Sequence, residues 1–196
     1  MSKGIDLEKE RDVLDRQITF FHFEKAKKKI NKCLKVAKKR KDYFYLFYFT
    51  AQKFMIQEDF QKALKYFDLC LKTSPDDGYS YNEKAICLAE LKRYDEAFIC
   101  FDKGIRMANY KVSLYHNKGW LLNSLGKFRP SIICFEKALE FESDRVESNF
   151  SLGDSYLHLG DKVKAKKYFL RALGQIKGKS SYIYMEIIKR LENISK

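Results

Sequence analysis

Apolar and polar positions alternate along this chain at helical spacing, in paired stretches that recur with a fixed period of 34 residues. Four phenylalanines carry the period: Phe67, Phe101, Phe135 and Phe169. Each follows a small residue by four positions, Ala63, Ala97, Ser131 and Ala165. Windows beginning at Phe44, Gly78, Val112 and Val146 repeat the same order. Their fourth position holds Phe47, Tyr81, Tyr115 and Asn149, their eighth Ala51, Ala85, Gly119 and Gly153, and their eleventh Phe54, Leu88, Leu122 and Tyr156. A later small residue is Cys70, Gly104, Ala138 or Ala172. Small side chains let one helix backbone approach its neighbour while large ones fill the space beside it. A period of this length predicts stacked helical hairpins, and no segment carries a strand period.

The ends of the pattern are irregular. Phe23-Glu24-Lys25-Ala26 matches Phe60-Gln61-Lys62-Ala63 and predicts a second helix over 23–40, preceded by a first helix over 6–19. The spacing from Ala26 to Ala63 is longer than the period, which puts the extra residues in the connection at 41–43. Toward the C-terminus, Ser180 is placed to cap a last helix with Ile183, Met185, Ile187, Ile188 and Leu191 on its apolar face. End units of a stack need such atypical, water-facing caps.

The aromatic, the Gly or Ala, the Tyr or Leu and the Ala-x-x-x-Phe of these windows resemble the tetratricopeptide repeat (TPR). Pro75 stands where that family places its terminal proline; Lys84 and Lys118 replace its leucine, and Asn149 its first aromatic. The resemblance implies an all-α, right-handed α-solenoid in one domain, 1–196. It comprises about five hairpins, over 6–42, 44–77, 78–111, 112–145 and 146–179, and a capping helix over 180–194. In TPR proteins the first helix of each hairpin lines a concave groove that takes a peptide or helix of a partner. By this register the groove positions are Tyr45, Tyr48, Phe49 and Gln52 in the second hairpin and Tyr79, Asn82, Glu83 and Ile86 in the third. The fourth offers Ser113, His116, Asn117, Trp120 and Asn123, and the fifth Glu147, Phe150, Ser151 and Asp154. Aromatic rings give contact area at few lost rotamers, and amides can hold peptide backbone. For Trp120, Tyr48 and Phe49 two placements stand, partner contact or core. The carboxylate clamp with which some TPRs hold chaperone tails is poorly represented. Asn117 fits it, but Asn82, Ile86, Glu147 and Ser151 replace its basic and amide partners.

Charge adds a second possibility. The chain has a formal net charge of +13, and from Lys25 to Lys41 ten side chains are basic and none acidic. Lys162, Lys164, Lys166, Lys167 and Arg171 form a lesser zone. Such faces keep a stack soluble, contact the phosphates of nucleic acid or an anionic membrane, or meet an acidic protein partner. An exposed end hairpin also allows self-association.

Catalysis has little support. Gly174 to Ser180 is one residue short of a phosphate-binding loop and joins helices. Asp76-Asp77 and Glu58-Asp59 fall at turns, where capping accounts for them, and His116 with Asp154 has no accompanying nucleophile. Cys33, Cys70, Cys87, Cys100 and Cys134 form no CxxC pair, and His22, His116 and His158 lie far apart, so buried thiols and no metal or other cofactor are expected. The N-terminus is too charged for a signal-peptide core, and no apolar stretch reaches the roughly 18–20 residues of a membrane span, which points to the cytoplasm. Asn149 and Asn193 each begin a sequon, the first inside a predicted helix.

Overall fold

The computed structural model describes residues 5–19, 23–109, 111–176 and 182–195, and all regular structure among them is helical. The chain falls into two compact units, Met1–Ala108 and Asn109–Lys196. The first contains α1 (Leu7–Thr19), α2 (Phe23–Arg40), α3 (Tyr43–Ile56), α4 (Phe60–Thr73), α5 (Gly78–Glu90) and α6 (Tyr94–Met107). The second contains α7 (Val112–Ser124), α8 (Phe128–Phe141), α9 (Val146–His158), α10 (Lys162–Gln175) and α11 (Tyr182–Ser195). Consecutive helices pair as antiparallel hairpins, α1 with α2 through α9 with α10, and α11 packs on α10. The fold class is all-α, a series of helical hairpins as the sequence period predicts. His22, the Ser180 cap and most of the segment from Gly174 to Ser180 lie outside the described residues.

The periodic phenylalanines are the cores of the hairpins. Phe67, Phe101, Phe135 and Phe169 are all buried, as are the small residues four positions before and three after each. In three hairpins a ring from the first helix meets them: Tyr48 edge-on to Phe67 at 5.9 Å, His116 beside Phe135 at 5.6 Å and Phe150 beside Phe169 at 5.7 Å. The glycines of the last two windows follow from this packing. A Cβ at Gly119 would come within 2.8 Å of the Phe135 ring, and one at Gly153 within 2.8 Å of the Phe169 ring. Those contacts are closer than a side chain tolerates without displacing the aromatic.

Turn geometry repeats too. Glu58, Lys92, Gly126 and Gly160 occupy the hairpin turns at the same register, with φ of 58°, 60°, 72° and 79°. Two of these four left-handed positions carry a side chain. Lys41, in the irregular connection before α3, has φ 54°. Asp42, Asp59, Asp77 and Asp161 cap α3, α4, α5 and α10 by accepting a backbone N–H three residues on. Asn149, in place of the aromatic, is wholly buried and donates its amide to the carbonyls of Ser143 and Arg145. It fixes the approach to α9, and its burial leaves that sequon inaccessible.

All five cysteines are free and buried. Burial pushes Cys33 up to about 11 and Cys70 up to about 12, so both are protonated thiols near neutrality.

Candidate functional site

In the first unit, the expected groove positions of α3 and α5 are already engaged. Phe49 has no exposed surface and Tyr48 almost none, so both belong to the core rather than to a free surface. The reason is aromatic density: Tyr48 stacks on Phe44 and meets Phe49 edge-on at 5.5 Å. Gln52, Asn82 and Glu83 are buried as well. Glu83 keeps its carboxylate there by accepting from Gln52 Nε2 at 3.0 Å and from Asn82 Nδ2 at 3.1 Å. Tyr45, Tyr79 and Ile86 are half-buried.

A residue outside the sequence-derived set completes this arrangement. Arg11 of α1, only 4% exposed, donates from Nη2 to both oxygens of Asp77 at 2.7 and 2.8 Å. Its guanidinium lies 4.2 Å from the Tyr79 ring centroid, 4.4 Å from Tyr48 and 5.5 Å from Phe44. Burial works against the charge, but Tyr48 and Asp77 more than offset it and hold the group above its ordinary range. Asp77 thus serves two partners, because its Oδ2 also accepts from Ser80 N at 2.8 Å. The sequence held one signal for this: Arg11 stands between Leu7 and Leu14 at helical spacing, on the stripe that α1 buries.

In the second unit the first helices, α7 and α9, keep more surface. Trp120 is 51% exposed, which settles the choice between core and surface in favour of surface. On the same face of α7, one turn to either side, lie His116 and Asn123, with Asn117 adjacent; all three are half-buried. His116 Nδ1 sits 3.0 Å from Ser148 Oγ. Burial first, and then the charge of Arg145, lowers the imidazole pKa to about 3, so it is neutral near pH 7. Asn123 receives a hydrogen bond from Ser155 Oγ at 3.3 Å and donates to Asp154 at 3.4 Å.

Asp154 does not join His116. It ion-pairs with Arg190 of α11 at 3.1 Å and lies 3.4 Å from His158. Glu147 is half-buried and 3.6 Å from Arg145 Nε. Ser151 is buried, and Phe150 is packed against the cluster of Phe169, Ala172 and Ile187. Among the expected positions described in the second unit, Trp120 is the exposed one, with half-buried polar neighbours around it.

Among the described residues, no group of three or more His, Cys, Asp or Glu is placed to hold a metal ion. No described helix is long and apolar enough to cross a membrane.

Comparison with known proteins agrees with this geometry. Family descriptions of the tetratricopeptide repeat match residues 51–111 and, separately, 112–145 and 146–176, more than half of the chain. TTC0263, a thermophilic TPR protein of Thermus thermophilus, is similar in structure with a TM-score of 0.74 at 14% identity, covering 97% of this chain and 99% of its own. YrrB, a TPR protein with an unusual peptide-binding site, superposes with a TM-score of 0.60 at 14% identity over 94% of this chain and 92% of its own. The first TPR of Spaghetti (RPAP3), bound to the HSP90 peptide SRMEEVD, gives 0.54 at 22% identity over 60% of this chain and 90% of its own. A search of curated proteins found no match. The repeated core, the hairpin order and the matched residues together place this chain in the tetratricopeptide repeat family.

Proposed function

We propose that this chain is a non-catalytic interaction module that holds a peptide segment or helix of a partner protein on its first-helix face, with Trp120 as the anchor. The exposure of Trp120 carries the reading. A lone tryptophan held on a rigid helix and half open to water offers a large apolar contact at little entropic cost. His116, Asn117 and Asn123 around it supply polar groups that can meet backbone amides and carbonyls. Two structural relatives, YrrB and the Spaghetti (RPAP3) domain, are peptide binders, which supports the class of ligand.

The neutral state of His116 and the acidic Glu147 beyond it favour an uncharged or weakly basic segment over an acidic tail. In the first unit Tyr48, Phe49, Gln52, Asn82 and Glu83 hold the helices together, so the proposed face is that of the second unit, on α7 and α9. The test is a capture experiment with the full chain beside its Trp120→Ala/Asn117→Ala variant. Partners retained by the wild type and lost from a folded variant are clients of this face. Identical captured sets would place binding elsewhere.

A further inference from the structure

We infer that α2 is a second, separate binding surface, which docks this protein on an anionic lipid membrane. This surface does not depend on the first-helix face and stands or falls apart from it. Helix α2 buries Ala26, Ile30, Cys33 and Ala37 against its hairpin partners. Its opposite face carries Lys25, Lys28, Lys32, Lys35 and Lys39, spaced alternately three and four residues apart, and every one is exposed. At about 1.5 Å of rise per residue, the row runs about 21 Å in a nearly straight line. Lys27 and Lys38 flank it, also exposed.

These charges are left over after folding. Glu24 pairs with Lys27, and Glu10 of α1 pairs with Lys29. Among the described residues, none of the five lysines in the row forms an ion pair or hydrogen bond. Five like charges on one face cost the isolated helix stability through repulsion, and an external polyanion would relieve that.

The shape of the row selects among polyanions. A flat sheet of phosphate headgroups can meet all five ammonium groups at once. The backbone of a duplex winds away from a straight row after a few phosphates, and the row contains no aromatic ring on which single-stranded bases could stack. Lysine is a mobile point charge that needs no fixed fork geometry, which suits headgroups whose positions vary. Because the apolar stripe of α2 is already buried in the hairpin, the helix does not insert. Binding is electrostatic, reversible and strongly dependent on salt.

Vesicle co-flotation of the full chain tests this, using phosphatidylcholine vesicles with and without phosphatidylserine. Binding is expected only when phosphatidylserine is present, strong at about 0.05 M salt and largely abolished near 0.5 M. The Lys28→Gln/Lys32→Gln/Lys35→Gln variant, confirmed folded by its melting curve, should lose about a hundredfold in affinity. A Lys162→Gln/Lys166→Gln/Lys167→Gln variant of α10 should lose far less. Absence of binding at low salt would overturn the inference. So would an equal loss from the α10 variant, which would make the effect one of net charge alone. Tighter binding to a duplex DNA oligomer than to the vesicles, at equal phosphate concentration, would overturn the choice of a membrane.

Discussion

Arg11 and Asp77 stand 66 positions apart and form a two-pronged ion pair, with Tyr48 and Tyr79 on the faces of the guanidinium. The pair ties α1 to the start of α5 and closes over the aromatic positions of α3. Removing one partner leaves the other charge buried and uncompensated. Asp77→Asn or Arg11→Met is expected to cost about 3 kcal/mol or more of stability. The double variant should cost less than the sum of the two, read from denaturant unfolding of all four proteins. Additive losses would mean that the two side chains do not act as a pair.

The hairpin turns make an opposed pair of predictions. Lys92 adopts φ 60° at the register where Gly160 adopts φ 79°. A non-glycine residue in that region carries roughly 1–2 kcal/mol of strain. Lys92→Gly is therefore expected to raise the melting temperature, and Gly160→Ala to lower it, each by about 1 kcal/mol in free energy. Thermal melts followed by circular dichroism would check both signs.

His116 gives the second unit an acid-sensitive term. Its pKa is held at about 3 in the folded protein against an ordinary 6.5. Between those values the unfolded chain takes up a proton that the folded chain refuses. The contribution is therefore complete above about pH 6.5 and lost progressively as the pH falls toward 3. Since the residue as a whole keeps some exposed surface, the loss should be on the order of 1–2 kcal/mol. His116→Gln should flatten that part of the stability–pH curve relative to wild type. Parallel curves for the two proteins would show that the histidine titrates normally.

Trp120 and Phe135 differ in burial, 51% against 0% exposed. With half its surface in water, Trp120→Ala should shift stability by less than about 1 kcal/mol. Phe135→Ala, which empties the centre of the α7–α8 hairpin, should cost about 3–5 kcal/mol. Side-by-side urea titrations distinguish the two.

Most of the architecture was legible because the 34-residue period is written by residues whose partners lie in their own hairpin. Phe67, Phe101, Phe135 and Phe169 meet helices only a few turns away, so spacing alone locates them. The aspartate caps and the helix at 23–40 follow from equally local signals. The proposed interaction face was legible in part. Trp120, Asn117 and Asn123, expected on that face, keep accessible surface. Tyr48 and Phe49 were expected at the same face but are buried, because neighbouring rings cover them. Gln52, Asn82 and Glu83 are sealed by hydrogen bonds to one another across two hairpins. The roles of Arg11 on Asp77 and Arg190 on Asp154 could not be read from spacing. Each joins a terminal helix, whose repeat pattern is weakest, to a distant acid.

Partner binding at Trp120 is read most directly from the emission of that ring, the sole tryptophan of the chain, as a captured partner segment is titrated in. Binding at this face should shift the emission to shorter wavelength and protect the ring from acrylamide quenching, with the midpoint at the dissociation constant. Saturated binding with unchanged emission and unchanged quenching would contradict it.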